Sequence, residues 1–210
     1  MEGVYGEYAG KLQLVMEKLV RAVEAYDAEY QRRYGERAYE HLLCRIKSEQ
    51  SMAEKCARNG WPAQPAYALR EIRDAVGLRI VCNFVDDIYA IADYLRRIEG
   101  VRVAEEKDYI RNVKPNGYRS YHMVLCVETP FADVLGQCPG QYFAEVQLRT
   151  IAMDSWAALE HQVKYKKRLQ GVNLELVTAE LKRCADELAS CDLSMQTIRN
   201  LIREQTEEKT

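Results

Sequence analysis

The chain has 210 residues, is 48% hydrophobic and 30% charged, and carries a formal charge of −2 at neutral pH. These values suit one globular domain with helical extensions and exclude low-complexity or fibrous classes. The near-neutral balance argues against general binding of duplex DNA, which usually needs a basic domain. No apolar run approaches the roughly 18 residues of a membrane span. The acid-containing N-terminal stretch lacks the apolar core of a secretory signal.

Residues 4–34 read as a helix, because Leu12, Val15, Met16, Leu19, Val23 and Tyr26 form one apolar stripe. Gly35 is the expected stop. Residues 39–47 read as a strand on which Arg45 and Lys47 share a face. Ser48 then caps a helix over 49–59, where Ser51 and Lys55 fall one turn apart. Cations, a hydroxyl and free N–H groups at one helix start make an anion-binding arrangement; the plain alternative is a solvated basic edge. Residues 61–70, with two prolines, are expected to form a loop or short turn.

The branched run 78–84 is a buried strand, entered past Asp74 and containing Arg79. Asp74 has Arg70, Arg73 and Arg79 as sequence neighbours, so it reads either as their salt-bridge partner or as a metal ligand. Asp86 and Asp87 read as N-terminal caps of a helix over 87–98. Residues 121–127 form a second buried strand with His122, Val124 and Cys126 on one face. Residues 129–140 are a loop. In 142–150 the alternation is strict: Tyr142, Ala144, Val146 and Leu148 point one way, and Phe143, Glu145, Gln147 and Arg149 the other. That polar face suits either an edge strand in water or a strand facing a ligand. Residues 151–168 and 172–206 read as helices, with Trp156 in the core and a break near Ser190–Ser194. The leucines of the last segment are expected to cover the sheet or join copies of the chain. Strands alternating with helices give an α+β fold with a mixed sheet.

The densest chemistry lies in residues 107–122, KDYIRNVKPNGYRSYH. Four cations and three tyrosines surround a Pro-Asn-Gly turn, and Tyr118 follows it directly. Rings beside cations suit a nucleotide, base on ring and phosphate on charge; the plain alternative is a solvated basic hairpin with a tyrosine lid. Asp74 and Glu145, from different strands, are a carboxylate pair of the kind that holds Mg²⁺ on a substrate's phosphates. No glycine-rich phosphate loop occurs, so side chains must bind the phosphates. Seven cysteines without a Cys-x-x-Cys pair predict neither a disulfide framework nor a zinc site, which fits a reducing cytoplasm.

Four ordered motifs carry a resemblance: R-x-K-x-x-x-S-x-x-x-K at Arg45, Lys47, Ser51 and Lys55; D-x-x-G-x-R at Asp74, Gly77 and Arg79; the 107–122 stretch; and E-V-Q-L-R-T from Glu145. Followed by W-A-x-L-E-H, they resemble the RelA/SpoT synthetase domain, above all its small stand-alone alarmone synthetases. The resemblance implies a nucleotidyltransferase-like sheet flanked by helices. It implies transfer of the β,γ-pyrophosphoryl group of ATP to the 3′-hydroxyl of GDP or GTP, giving AMP and (p)ppGpp, the alarmone of the stringent response. Carried onto this chain, Asp74 and Glu145 would bind Mg²⁺ and act in catalysis. Arg45, Lys47, Ser51, Lys55 and Arg79 would hold ATP, and Lys114, Asn116, Tyr118, His122, Gln147 and Arg149 the acceptor. It also implies one synthetase domain, with an N-terminal helix (1–38), a catalytic core (39–168) and C-terminal helices (169–210), assembled as a homo-oligomer, expected to be a tetramer. The three histidines, with no His-Asp pair, imply no hydrolase activity. Two departures stand out: Val113 where the family often has Pro, and Leu43-Cys44 where relatives activated by (p)ppGpp carry Thr-Gly. The alternatives are a toxin of the same family that modifies the 3′ end of tRNA, or a non-catalytic module binding nucleotides or single-stranded RNA.

Overall fold

The structure is a computed structural model describing residues 3–165 and 173–207. After a short 3-10 turn come α1 (Ala9–Tyr34), β1 (His41–Ile46), α2 (Glu49–Arg58), β2 (Val76–Cys82), α3 (Val85–Leu95), β3 (Val101–Asp108), β4 (Tyr121–Thr129), β5 (Gly140–Thr150), α4 (Ile151–Tyr165) and α5 (Leu174–Glu207). The strands form one sheet in the order β1-β2-β5-β4-β3. Only β2 and β5 pair in parallel; the other pairs are antiparallel, so the sheet is mixed.

The alternation in β5 decides how the sheet is used. Because β5 is central, both its faces are covered or functional, and the edge-strand reading falls. One face carries Val76, Leu78, Ile80, Ala144, Val146, Leu148, Met123 and Leu125, all essentially buried. The apolar stripe of α1 (Leu12, Val15, Leu19, Val23) and Ile88, Ile91 and Leu95 of α3 join them in one core. Burying these branched side chains is the main stabilising term, at about 1.5–3 kcal/mol each. The other face presents Arg79, Glu145, Gln147 and His122.

Several expectations shift. The second strand starts earlier than expected and ends at Cys82, because Phe84 N–H is already bonded to the Asp87 carboxylate (3.1 Å) at the start of α3. β3 is an additional strand on the sheet edge. No break interrupts α5 near Ser190: Ser194 Oγ donates to the Ser190 carbonyl (2.9 Å), so the hydroxyl is satisfied inside the helix. The apolar residues of α5 do not cover the sheet throughout, since Leu193, Ile198 and Leu201 are exposed. The basic residues expected at 166–168 lie outside the described residues. No described helix is long and apolar enough to cross a membrane.

Candidate active site

Strand register builds the site. One row across the sheet reads Arg45, Gly77, Glu145, Val124; the next reads Leu43, Arg79, Gln147, His122, Lys107. Gly77 has no side chain, which leaves the space between Arg45 and Glu145 open. Ser48 caps α2 by accepting from Ser51 N–H (3.3 Å), as its position predicts.

Asp74 stands just before β2. Its expected arginine partners are not its partners: Lys47 and Lys55 (2.7 Å) both donate to Oδ2. Arg73 instead lies over the Phe143 ring (4.8 Å), and Arg79 pairs with Asp154 (3.4 Å). Lys47 of the β1–α2 junction and Lys55 of the last turn of α2 win because the approach to β2 runs beside them, with Lys47 N–H bonded to the Ala75 carbonyl (2.8 Å). Burial raises the Asp74 pKa, but the two lysine bonds and charges outweigh it, and the net shift is downward. Its second oxygen, Oδ1, is buried without a partner among the described residues. Glu145 faces His122 Nδ1 (3.5 Å) and accepts from Gln147 Nε2 (3.1 Å). The His122 bond lowers its pKa against burial and the nearby Asp74 charge.

Tyr118 is held by its hydroxyl. Arg149 donates to it (2.8 Å) and His122 Nε2 lies 2.9 Å away. Arg149 is buried and bonds Gln147 Oε1 (3.1 Å) and Asp154 (2.9 Å) as well. Lys114 Nζ sits 4.3 Å from the Tyr109 ring centre and 5.0 Å from that of Tyr118. The rest of the loop rests on helices. Asn116 bonds Glu160 (3.1 Å), and Arg119 bonds Asp186 (2.8 Å) and the Ala185 carbonyl (3.2 Å) of α5. Trp156 is core as expected, donating to the Leu181 carbonyl (2.9 Å).

Two cavities open on this face. The larger, 570 Å³, includes Lys55, Lys107, Lys114 and His122 in its lining; the smaller, 180 Å³, includes Arg45, Lys47, Arg79 and Gln147. Asp74 and Glu145 line both. Tyr118 and Arg149 sit behind His122 as supports. Ser51 stays at the α2 cap, bonded to Ser48 Oγ (2.9 Å), and Asn116 stays in the loop, so neither lines a cavity. Trp61 of the larger cavity and Asp154 carried no role in the sequence reading, Arg73 was read there only as a partner of Asp74, and Tyr109 only as one of the three loop tyrosines. Tyr109 had a signal in its spacing to Lys114, while Asp154 looked like an ordinary first-turn helix acid.

Residues 44–170 match the family described as the region found in RelA / SpoT proteins. The chain belongs to the RelA/SpoT family. This member is 37% identical to the Bacillus subtilis GTP pyrophosphokinase YwaC over 158 residues, covering 75% of this chain and 72% of that protein. It is 34% identical to the GTP pyrophosphokinase YjbM of the same organism, over 79% of this chain and 74% of that one. The fold of this RelA/SpoT protein is similar to that of the small alarmone synthetase 1 from Bacillus subtilis, with a TM-score of 0.75 at 30% identity over 92% of this chain and 94% of the other. That synthetase has also been solved bound to its product pppGpp and to AMPCPP. The expected α+β fold, a mixed sheet flanked by helices with helical extensions at both ends, is the one observed.

Proposed function

We propose that this protein is a GTP pyrophosphokinase. It moves the β,γ-pyrophosphoryl group of ATP to the 3′-hydroxyl of GDP or GTP and releases AMP. The observation that carries this reading is the pair of cavities that share a carboxylate wall of Asp74 and Glu145. A reaction between two nucleotides needs a donor and an acceptor on opposite sides of one reacting centre.

The smaller cavity, with Arg45, Lys47 and Arg79, takes ATP, and Lys55 reaches the shared wall from the other side. The larger cavity takes the acceptor: Lys114, His122 and Tyr109 line it, and Tyr118, Asn116 and Arg149 set the loop and strand behind it, while Gln147 lines the smaller cavity and bonds both Glu145 and Arg149. Its base rests on the tyrosine face of the loop. The 3′-oxygen attacks the β-phosphorus, the bond from that phosphorus to the bridging oxygen of the α-phosphate breaks, and the electron pair leaves with AMP. The Glu145 carboxylate accepts the hydroxyl proton. Its lowered pKa makes it a weak base. A loose phosphoryl-transfer transition state demands little of the base, because the proton leaves late.

The donor set fits Mg²⁺. The buried Asp74 Oδ1 has no partner among the described residues, and Glu145 lines the same wall. Hard carboxylate oxygens with nearby substrate phosphates are what Mg²⁺ prefers, and when bound it would neutralise developing charge on the transferred phosphates. Lys47 and Lys55 hold Asp74 in the meantime and exchange it for phosphate when the nucleotide enters. The exposed apolar residues of α5 support assembly into a homo-oligomer, for which a tetramer is our expectation. A cytoplasmic location completes the reading. The test uses Glu145→Val and metal chelation separately. Each is expected to stop transfer with the melting curve little changed, and undiminished transfer in either would sink the assignment.

A further inference from the structure

Asp154, in the first turn of α4, receives two arginines on one oxygen: Arg149 NH1 at 2.9 Å and Arg79 NH1 at 3.4 Å. The arginines serve different cavities. Arg79 lines the smaller one. Arg149 begins a hydrogen-bond chain toward the larger one: Arg149 NH2 donates to Tyr118 Oη (2.8 Å), Tyr118 meets His122 Nε2 (2.9 Å), and His122 Nδ1 faces Glu145 Oε1 (3.5 Å). The directions are consistent. With Arg149 donating, the Tyr118 hydroxyl proton is left for His122 Nε2, which leaves Nδ1–H for Glu145.

We propose that Asp154 is a positioning residue that couples donor and acceptor binding, by acting as the shared counter-ion of Arg79 and Arg149. Two guanidinium groups this close repel, and Arg149 is 5% exposed, so water screens little of that repulsion. A single carboxylate between them fixes both. Arg79 already lines the smaller cavity while paired with Asp154, so phosphate bound there shares its charge in place and leaves the Asp154 carboxylate more fully to Arg149. That tightens the support of Tyr118, His122 and Glu145 on the acceptor side. Asp154 touches neither nucleotide; it acts through the two arginines. Burial and the Arg149 charge pull the Arg79 pKa below its ordinary value while Asp154 opposes them, in line with this arrangement.

The inference rests on the proposed two-nucleotide site, and equilibrium binding separates the two claims. Dissociation constants for AMPCPP and for GDP are measured by calorimetry on wild type, Asp154→Asn, Tyr118→Phe and the double variant, alongside wild-type turnover. Asp154→Asn keeps the shape and removes the charge. It is expected to weaken both ligands about tenfold, the scale of one lost charged hydrogen bond. On GDP this loss should largely vanish in the Tyr118→Phe background, because the chain is already cut; on AMPCPP it should persist in full. Preserved wild-type binding of both nucleotides without turnover would overturn the pyrophosphokinase reading alone. Asp154→Asn dissociation constants within about twofold of wild type, or a GDP loss of full size in the Tyr118→Phe background, would overturn the role of Asp154. If Asp154→Asn does not fold, Asp154→Glu decides. Its retained charge should keep both constants within about threefold of wild type, and a loss as large as tenfold would refute the shared counter-ion.

Discussion

Gly117→Ala would test how the acceptor loop is held. Gly117 has φ +91°, a conformation that side-chain-bearing residues rarely adopt, and it faces α5. A Cβ built there would lie 2.6 Å from Ala185 Cβ and 3.0 Å from Lys182 Cα. Carbon atoms rest at about 3.5–4.0 Å, so either the loop or α5 must move by much of an ångström. The backbone strain costs about 1–2 kcal/mol, and overpacking adds about 1–3 kcal/mol. Gly35→Ala isolates the first term, since Gly35 also has positive φ (+74°) but nothing among the described residues within 4 Å of its built Cβ. At about 2–4 °C per kcal/mol for a chain of this size, Gly117→Ala should lower Tm by about 5–15 °C, well beyond Gly35→Ala. It should also weaken GDP binding more than AMPCPP binding, because Tyr118 moves with the loop. Equal Tm losses in the two variants would refute the packing of α5 on the loop.

Tyr118→Ala, which removes the support behind His122, should raise the acceptor KM by about tenfold, the scale of one lost charged hydrogen bond, and the ATP KM far less. Tyr118→Phe keeps the ring and loses the pinned hydroxyl, so it should fall between wild type and Ala; equal rises in both KM values would mean the loop serves another role. Glu145→Gln, which keeps the shape but not the charge, should cut kcat by about 100-fold or more in a product assay. The Asp74 ion pairs give an acid-sensitive term. The folded pKa lies below the unfolded value, so this stability is full above the unfolded pKa, about 3.9, and is lost as pH falls through the folded one. Melts of wild type and Asp74→Asn should therefore stay a constant distance apart from pH 7 to about pH 5 and converge below about pH 4. A gap that widened in acid would contradict the pairing.

The parts of the fold written in periodicity were legible. The α1 stripe, the buried β2 and β4 runs and the two-faced β5 each follow from residue spacing. β3 was hidden because an edge strand needs little apolar content: Glu105, Glu106 and Lys107 read as a solvated stretch, and a register shift between Val103 and Glu105 breaks the alternation. Of the site, the residues gathered on one strand face could be read together. The Asp74 partners could not, since nearby arginines in sequence lose to lysines brought in by the fold. Asp154 was invisible for the same reason. Its role needs Arg79 and Arg149, paired with it only when the parallel β2 and β5 bring both strands to the start of α4.

The most direct measurement follows the label from γ-³²P-ATP with GTP and Mg²⁺ through a nucleotide separation. Label is expected to enter a guanosine pentaphosphate, with one AMP, read by absorbance, formed for each one made. Release of ADP instead of AMP, or AMP without any labelled guanosine product, would contradict pyrophosphoryl transfer at this site.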